Sequence, residues 1–589
     1  MKKFLLTFML ALMAMAINAA TFTQGDFIYE IVNDSTCNLS GLSSAGSGKT
    51  YLKIGGYTFN ASTQKYCKVQ KINQDAFENN FTITEVRIGP GVEVIANYAF
   101  YNCTKLQIVS LPSTIQSLGN SVFFGCPITL INCAAETMPT FTSYTFNGLG
   151  TISGTRSWWT GTKAGKDAAN ANSTITSLFS VERMPTQAYD VASFIGGTSP
   201  NYRCTVYAIV TKAWSPVIQR GGECKIIYAS PASQNTTATL EVPYNESLSD
   251  TGYDRYSPVE IADYAFQNRD FIKRVIISGA TGFKRIGLCA FQNNTALTSV
   301  TLCAQRVDNY AFDGCTNLSS VQLYGSNENN FSVQQLGYAS FRGTAVSSVY
   351  IPKNLTSYEG GPFCNCPNLT QFTVSSENTV FAAYNYSLYS KNYATLYQYP
   401  SGRYTYLFNE EAHQSMTRIN GYAFKGNTRI SDLAIPYGVT YIGAEAFYGM
   451  SSLTRLRIPS SVTTFVHNTF QNMTGLKDFY FNIKTIPSSL TGSNCFLNIK
   501  SGCKLHIPRQ RANHYSSTSP WSSSFTGGIY EDAYDHIITY NNGSALNYYL
   551  GFTVTSTSSY TDTKVQSTAA NGQMSITYGY VGTEGGFTG

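Results

Sequence analysis

The chain has 589 residues, 13% of them charged and 14% aromatic, with 42 Tyr and a formal net charge of +6. That apolar and aromatic content excludes a disordered chain, the shortage of Lys, Arg, Glu and Leu excludes a bundle of long helices, and the length exceeds one ordinary domain. The basic residues are scattered rather than clustered, so there is no electrostatic footprint for nucleic acid.

Residues 1–20 read as a secretory signal peptide: Lys2 and Lys3, an apolar run from Phe4 to Ile17, then the small pair Ala19 and Ala20. No Cys follows that run closely enough for lipid attachment, and no later stretch of about 20 apolar residues appears. The mature chain is therefore expected outside the cell, with any membrane contact made through an anchor not visible in this chain.

Residues 21–71 alternate apolar and polar positions ("FIYEIV", "TYLKIGGYTF") and read as a β-rich N-terminal cap. Within it "GLSSAGSGKT", Gly41 to Thr50, imitates a phosphate-binding loop. The first Gly of that motif should stand at position 43, which is Ser43, and a β pattern rather than a helix follows. A hairpin loop of the cap is the expected structure, and no nucleotide is expected.

From residue 72 a repeat takes over. Phe77, Phe100, Phe123 and Phe146 are 23 apart, as are Phe424, Phe447 and Phe470; between them Phe266, Phe291, Phe312, Phe341 and Phe363 recur at steps of 25, 21, 29 and 22, and Phe496 closes the series. Five residues before each Phe stands an apolar group, as at Ile95, Ile286 and Ile442, broken only at Thr491. Two residues after it stands Asn or Gly without exception: 79, 102, 125, 148, 268, 293, 314, 343, 365, 426, 449, 472 and 498. Those types best tolerate a left-handed backbone, so a tight turn with positive φ is expected there. An L-x-x-L-x-L strand follows most Phe ("LQIVSL", "LTSVTL", "LTRLRI"), and Pro often closes it. One coil buries too little to offset the entropy of ordering about 23 residues, so neighbours must share each buried face.

In chain order, 72–186 is a first array with the terminating segment "SWWTGTKAGKDAANANSTITSLFSV". Residues 187–257 form a linker (Gln187 to Pro200) and a second β-rich cap. Residues 258–534 form a second array with a hairpin insertion near 380–402 and a terminating segment, Lys504 to Phe525. Residues 535–589 are a further β-rich region, and the abrupt end in "EGGFTG" leaves open that it is incomplete.

"IANYAFYNCTKLQIVSLP" and "VDNYAFDGCTNLSSVQL" resemble the BspA-like leucine-rich repeats of surface proteins from host-associated anaerobic bacteria, whose frame runs I-G-x-x-A-F-x-x-C-x-x-L-x-x-V-x-I-P. The resemblance covers most of 70–148 and 258–510. It implies a repeat solenoid with a parallel β-strand ladder, short turns or helical turns on the other face, and β-rich caps. It also implies adhesion or host-factor recognition at a bacterial surface, with no catalysis and no cofactor. The partner would be a host extracellular or matrix protein. Capture of a surface glycan by exposed Tyr and Trp is the alternative, and an enzyme domain beyond residue 535 or past the present end is a third reading.

Cys103, Cys126, Cys315 and Cys366 each fall three residues after their Phe, a slot that elsewhere holds Asn or Met. They are expected to be buried thiols. Cys37 with Cys67, or Cys204 with Cys224, stay open as cap disulfides. Cys364 with Cys366, or Cys495, Cys503 and His506, fit no standard zinc frame, so no metal is expected. The five His lie in no H-E-x-x-H, and no G-x-S-x-G occurs. Outward-facing strand positions are more informative. In the second array they include Arg274, Ser299, Thr301, Ser320, Gln322, Tyr350, Gln371, Asp432, Arg455, Arg457, Asp478 and Tyr480. Of these Tyr350, Arg455, Arg457, Asp478 and Tyr480 are the candidate ligand contacts, because Arg and Tyr are common interface anchors.

Overall fold

In the computed structural model the chain divides into two compact units, residues 1–235 with 242–266, and residues 236–241 with 267–589. The described residues are 20–531 except 186, 196–203, 213–221, 232–237, 243–255, 278–281, 326–331, 405–414, 484, 492–493 and 509–510. After 535 only the strands His536–Asn541, Ala545–Leu550, Gln566–Ala570 and Gln573–Thr577 are described, as backbone. The leader, part of the linker and most of the C-terminal region expected from the sequence lie outside the described residues. No described helix is long and apolar enough to cross a membrane.

Each unit is a parallel β-solenoid. In the first, Tyr51–Ile54, Glu85–Ile88, Ile108–Leu111, Leu130–Cys133, Ser157–Thr160 and Ser180–Arg183 form one parallel sheet. A second sheet carries Lys65–Ile72 into the two-residue strands Val94–Ile95 and Ser117–Leu118, the apolar residues five before each Phe. The second unit repeats both sheets. Its first is built from strands such as Arg455–Ile458 and Asp478–Phe481, and its second from rungs such as Arg306–Val307 and Tyr441–Ile442. Where Thr491 breaks the apolar series it is exposed, and the 3-10 turn Ser488–Leu490 buries Leu490 in its place.

The phenylalanines stack in runs along each array. Phe77 stacks on Phe100 with centroids 4.9 Å apart, Phe291 on Phe312 at 5.0 Å, Phe312 on Phe341 at 5.0 Å, and Phe341 on Phe363 at 4.9 Å. Those separations are near the spacing of paired strands, about 4.8 Å, whereas Phe100–Phe123, Phe123–Phe146, Phe424–Phe447, Phe447–Phe470 and Phe470–Phe496 stand 5.6 to 6.1 Å apart. Every Asn or Gly two residues after a Phe has positive φ, from 55° at Asn365 to 76° at Gly125. Some of these Asn side chains form a ladder of their own, Asn102 Nδ2 donating to Asn79 Oδ1 at 2.7 Å and Asn293 to Asn268 at 3.0 Å.

A second left-handed position, two residues before the Phe, was not legible in the sequence. Asp75, Tyr98, Ser121, Cys289, Tyr310, Ala339, Tyr422 and Glu445 share it, and so varied a set gives no compositional signal. Alternation of left- and right-handed residues turns successive alternate N–H groups along the solenoid axis. Tyr98, Phe100 and Asn102 accordingly donate to the carbonyls of Asn120, Val122 and Phe124 on the next coil. The turn face is thus a third parallel ladder.

Both arrays end on the same device, a Trp and a Phe set edge-on against the last coil. Trp158 and Phe179 close on Phe146 at 6.3 and 5.7 Å, and Trp521 and Phe525 on Phe496 at 4.6 and 5.0 Å. In the first unit the stretch after the array folds back on it. Asp190, 3% exposed, accepts from Ser113 N at 2.9 Å, from Ser113 Oγ, and from Val210 N at 2.8 Å. Arg87 lies over the Tyr189 ring at 4.5 Å.

The loop around Lys49 corrects the expected hairpin. The flanking strands Thr36–Leu42 and Tyr51–Ile54 belong to different sheets, so the loop is the passage between them. Lys49 Nζ is held by Asp26 at 2.6 Å.

Candidate binding face

Five parallel strands build the candidate face: Asp432–Ala434, Arg455–Ile458, Asp478–Phe481, Lys504–His506 and Ile529–Tyr530. Alternation turns Leu433, Leu456, Phe479 and Leu505 into the core, each 1% exposed or less. The residues between them face outward in two rows. One row is Asp432, Arg455, Asp478 and Lys504; the other is Arg457, Tyr480, His506 and Tyr530.

Ion pairs and ring stacking hold the rows together. Asp432 receives Arg455 Nη1 at 3.0 Å and Arg457 Nη1 at 2.8 Å. The Arg457 guanidinium lies 5.5 Å from the Tyr480 ring centroid. Tyr480 stacks on His506, whose Nε2 is 3.3 Å from Asp478 Oδ1, and Tyr530 follows at 5.4 Å. Lys504 Nζ stands 5.6 Å from the Tyr530 ring centroid.

Four of the five residues singled out from the sequence, Arg455, Arg457, Asp478 and Tyr480, therefore meet. Tyr350 does not join them. It sits half-buried on the two-stranded sheet of Ser348–Ile351 and Gln371–Val374, with its ring 5.6 Å from Tyr324. Sequence reasoning missed Lys504, His506 and Tyr530. The alternation in "KLHIP" does mark Lys504 and His506 as outward-facing, but reading that stretch only as a terminator hid them.

The thiol slot does more than fill space. Cys103, Cys126, Cys315 and Cys366 are buried free thiols, and their sulfurs donate to the carbonyls of Phe77, Phe100, Phe291 and Phe341 on the preceding coil, at 3.1, 3.0, 3.1 and 3.3 Å. Burial pushes Cys315 up to about 12 and Cys366 up to about 11. Cys37 and Cys67 are also free thiols; the side chain of Cys204 lies outside the described residues. Among the described residues no group of three or more His, Cys, Asp or Glu side chains is placed to hold a metal ion. Trp158 and Trp521 are fully buried, and Trp159 is half-buried.

A family model described as BspA type leucine rich repeat region matches residues 30–153, 70–178, 259–393 and 403–517, well over half of the chain. The chain belongs to that family. The family match covers most of both stacked arrays and the face strands from Asp432–Ala434 to Lys504–His506; Ile529–Tyr530 lies beyond it. No curated protein sequence matches the chain. Among solved structures, a leucine-rich cell surface protein of Faecalibacterium prausnitzii is similar at 18% identity over 87% of this chain and 94% of that one, with a TM-score of 0.34. The pneumococcal vaccine antigen PcpA is similar at 15% identity over 58% of this chain and 98% of that one, TM-score 0.41. A leucine-rich repeat protein of Bacteroides ovatus is similar at 16% identity over 83% and 100%, TM-score 0.27.

Proposed function

We propose that this chain is a non-catalytic repeat protein, secreted or displayed at a bacterial cell surface, that binds a host or matrix protein through the face around Tyr480. Membership of the BspA type family supports the repeat-protein part of that reading. The observation that carries the rest is the outward double row from Asp432 to Tyr530, in which arginine and tyrosine side chains are already fixed by their neighbours, Tyr480 and Tyr530 by packing on the buried His506. Side chains ordered before binding lose less entropy on contact, and Arg and Tyr dominate the energetics of protein interfaces. Exposed ion pairs add little to folding, and the buried row beneath already accounts for the sheet.

The test is capture of purified extracellular matrix proteins by the immobilised mature chain. Replacing Arg455, Arg457, Asp478 and Tyr480 together by Ala is expected to abolish capture while the thermal transition of the chain persists. Undiminished capture by that folded variant rejects the face.

A further inference from the structure

The inserted hairpin holds an aromatic residue where its backbone favours none. Strands Phe381–Tyr384 and Ser387–Ser390 pair antiparallel with Tyr384 opposite Ser387, which leaves Asn385 and Tyr386 as a two-residue turn. Both have left-handed backbones, φ 44° and 64°. A turn with two positive φ values favours Asn followed by Gly. Asn385 suits its place; Tyr386 stands where Gly belongs. Core packing does not explain the choice, because Tyr386 is 52% exposed and Arg403 covers part of its ring. Tyr98, Tyr310 and Tyr422 also have positive φ, but on the turn face of the arrays, where the neighbouring coil imposes it; Tyr386 has it at an exposed hairpin tip.

The turn is rigidly held. The Tyr386 carbonyl accepts from Phe372 N at 2.8 Å, on a strand of the array. Arg403 Nη1 donates to the Asn385 carbonyl at 2.8 Å, and its guanidinium lies 4.6 Å from the Tyr386 ring centroid. The next residue repeats the arrangement: Tyr404, 66% exposed, has Arg429 4.9 Å from its ring centroid and receives Arg429 Nη1 on its hydroxyl at 3.0 Å. Arg403 and Tyr404 are consecutive in the chain, so the backbones that carry the two Arg–Tyr pairs meet there. Among the described residues the two guanidiniums meet neutral groups only, Asn385, Tyr386, Tyr399 and Tyr404.

We propose that the hairpin turn is a binding site for a carboxylated sugar, with Tyr386 and Tyr404 as stacking surfaces for the ring and Arg403 and Arg429 as partners of the carboxylate. Two cations that meet no carboxylate among the described residues complement an anionic ligand. Two exposed aromatic rings beside them favour a sugar, which offers a flat apolar face, over an acidic peptide, for which the cations alone suffice. The site is separate from the face around Tyr480.

Isothermal titration of the full chain tests this with sialyllactose and tetragalacturonate, against lactose as the neutral sugar and tetraglutamate as the acidic peptide. Either carboxylated sugar is expected to bind, while lactose and tetraglutamate do not. Tyr386→Gly, which relieves the left-handed strain, and Arg429→Gln, which leaves the turn untouched, are each expected to weaken binding about tenfold or more. The variant with Ala at 455, 457, 478 and 480 is expected to bind the sugar as the native chain does. Failure of both carboxylated sugars to bind, equal binding of tetraglutamate, or full binding by the Tyr386→Gly and Arg429→Gln chains overturns the proposal.

Discussion

The Tyr480 ring lies flat on the imidazole of His506, with centroids 4.0 Å apart and planes 12° apart. The two residues are in register on adjacent parallel strands, so one array strand and the terminating segment jointly present the aromatic row. Tyr480→Ala is expected to weaken matrix-protein capture by about 2 kcal/mol, the scale of an interface anchor. Tyr480→Phe, which keeps the stacked ring, is expected to retain most of it. Surface plasmon resonance on the two variants separates these outcomes.

The seam should be unforgiving of cavities. Phe312 is fully buried and stacked on both Phe291 and Phe341. Phe312→Ala is expected to cost about 3–5 kcal/mol, read as a lowered denaturant midpoint for the second unit.

The left-handed turn position should discriminate by backbone rather than by space. A Cβ added at Gly449, φ 74°, would meet nothing within 4 Å. Gly449→Asn is expected to stay within about 1 kcal/mol of the native chain, whereas Gly449→Val should lose roughly 2 kcal/mol because a branched residue resists that φ. Thermal melts of the pair decide it.

The buried thiols set a pH dependence. Burial raises Cys133, Cys364 and Cys503 up to about 12 from an ordinary value of 9.0. Below pH 9 these thiols are protonated folded or unfolded and contribute no slope. Between about pH 9 and 12 the unfolded chain releases protons that the folded chain retains, so stability falls by about 1.4 kcal/mol per pH unit for each such thiol. Denaturant titrations at pH 8, 9 and 10 should show the loss only above 9. Cys103 and Cys126 should resist alkylation by iodoacetamide until the chain is unfolded.

Asp190 fastens the stretch after the first array to Ser113 and Val210. Asp190→Ala leaves those buried N–H groups without their acceptor and is expected to destabilise the first unit by on the order of 3 kcal/mol. Faster hydrogen exchange at the Ser113 and Val210 amides is the local readout.

Much of the solenoid was legible because its determinants are local and repeated. The Phe period, the apolar residue five before it and the Asn or Gly two after it each recur too often to be chance. Each also maps onto a single physical demand: a stacked ring, a buried rung, a left-handed turn. The second left-handed position was hidden because it is imposed by the hydrogen bonds of the neighbouring coil rather than by any side-chain preference, so Tyr, Ser, Cys and Glu all occupy it.

The candidate face shows the same division. Alternation alone turned Arg455, Arg457, Asp478 and Tyr480 outward, since period two fixes which side of a strand a residue takes. Their neighbours were decided by register across strands. Lys504 and His506 lie in the terminating segment, and only parallel pairing sets His506 against Tyr480 and Tyr530 beside it. Tyr350 carries the same sequence signal as Tyr480 yet stands on another sheet, because the inserted hairpin separates the strands that hold them. Local chemistry thus determined each coil and its outward residues. Long-range backbone pairing decided which of those residues touch, since contact between coils depends on stacking that no single repeat encodes.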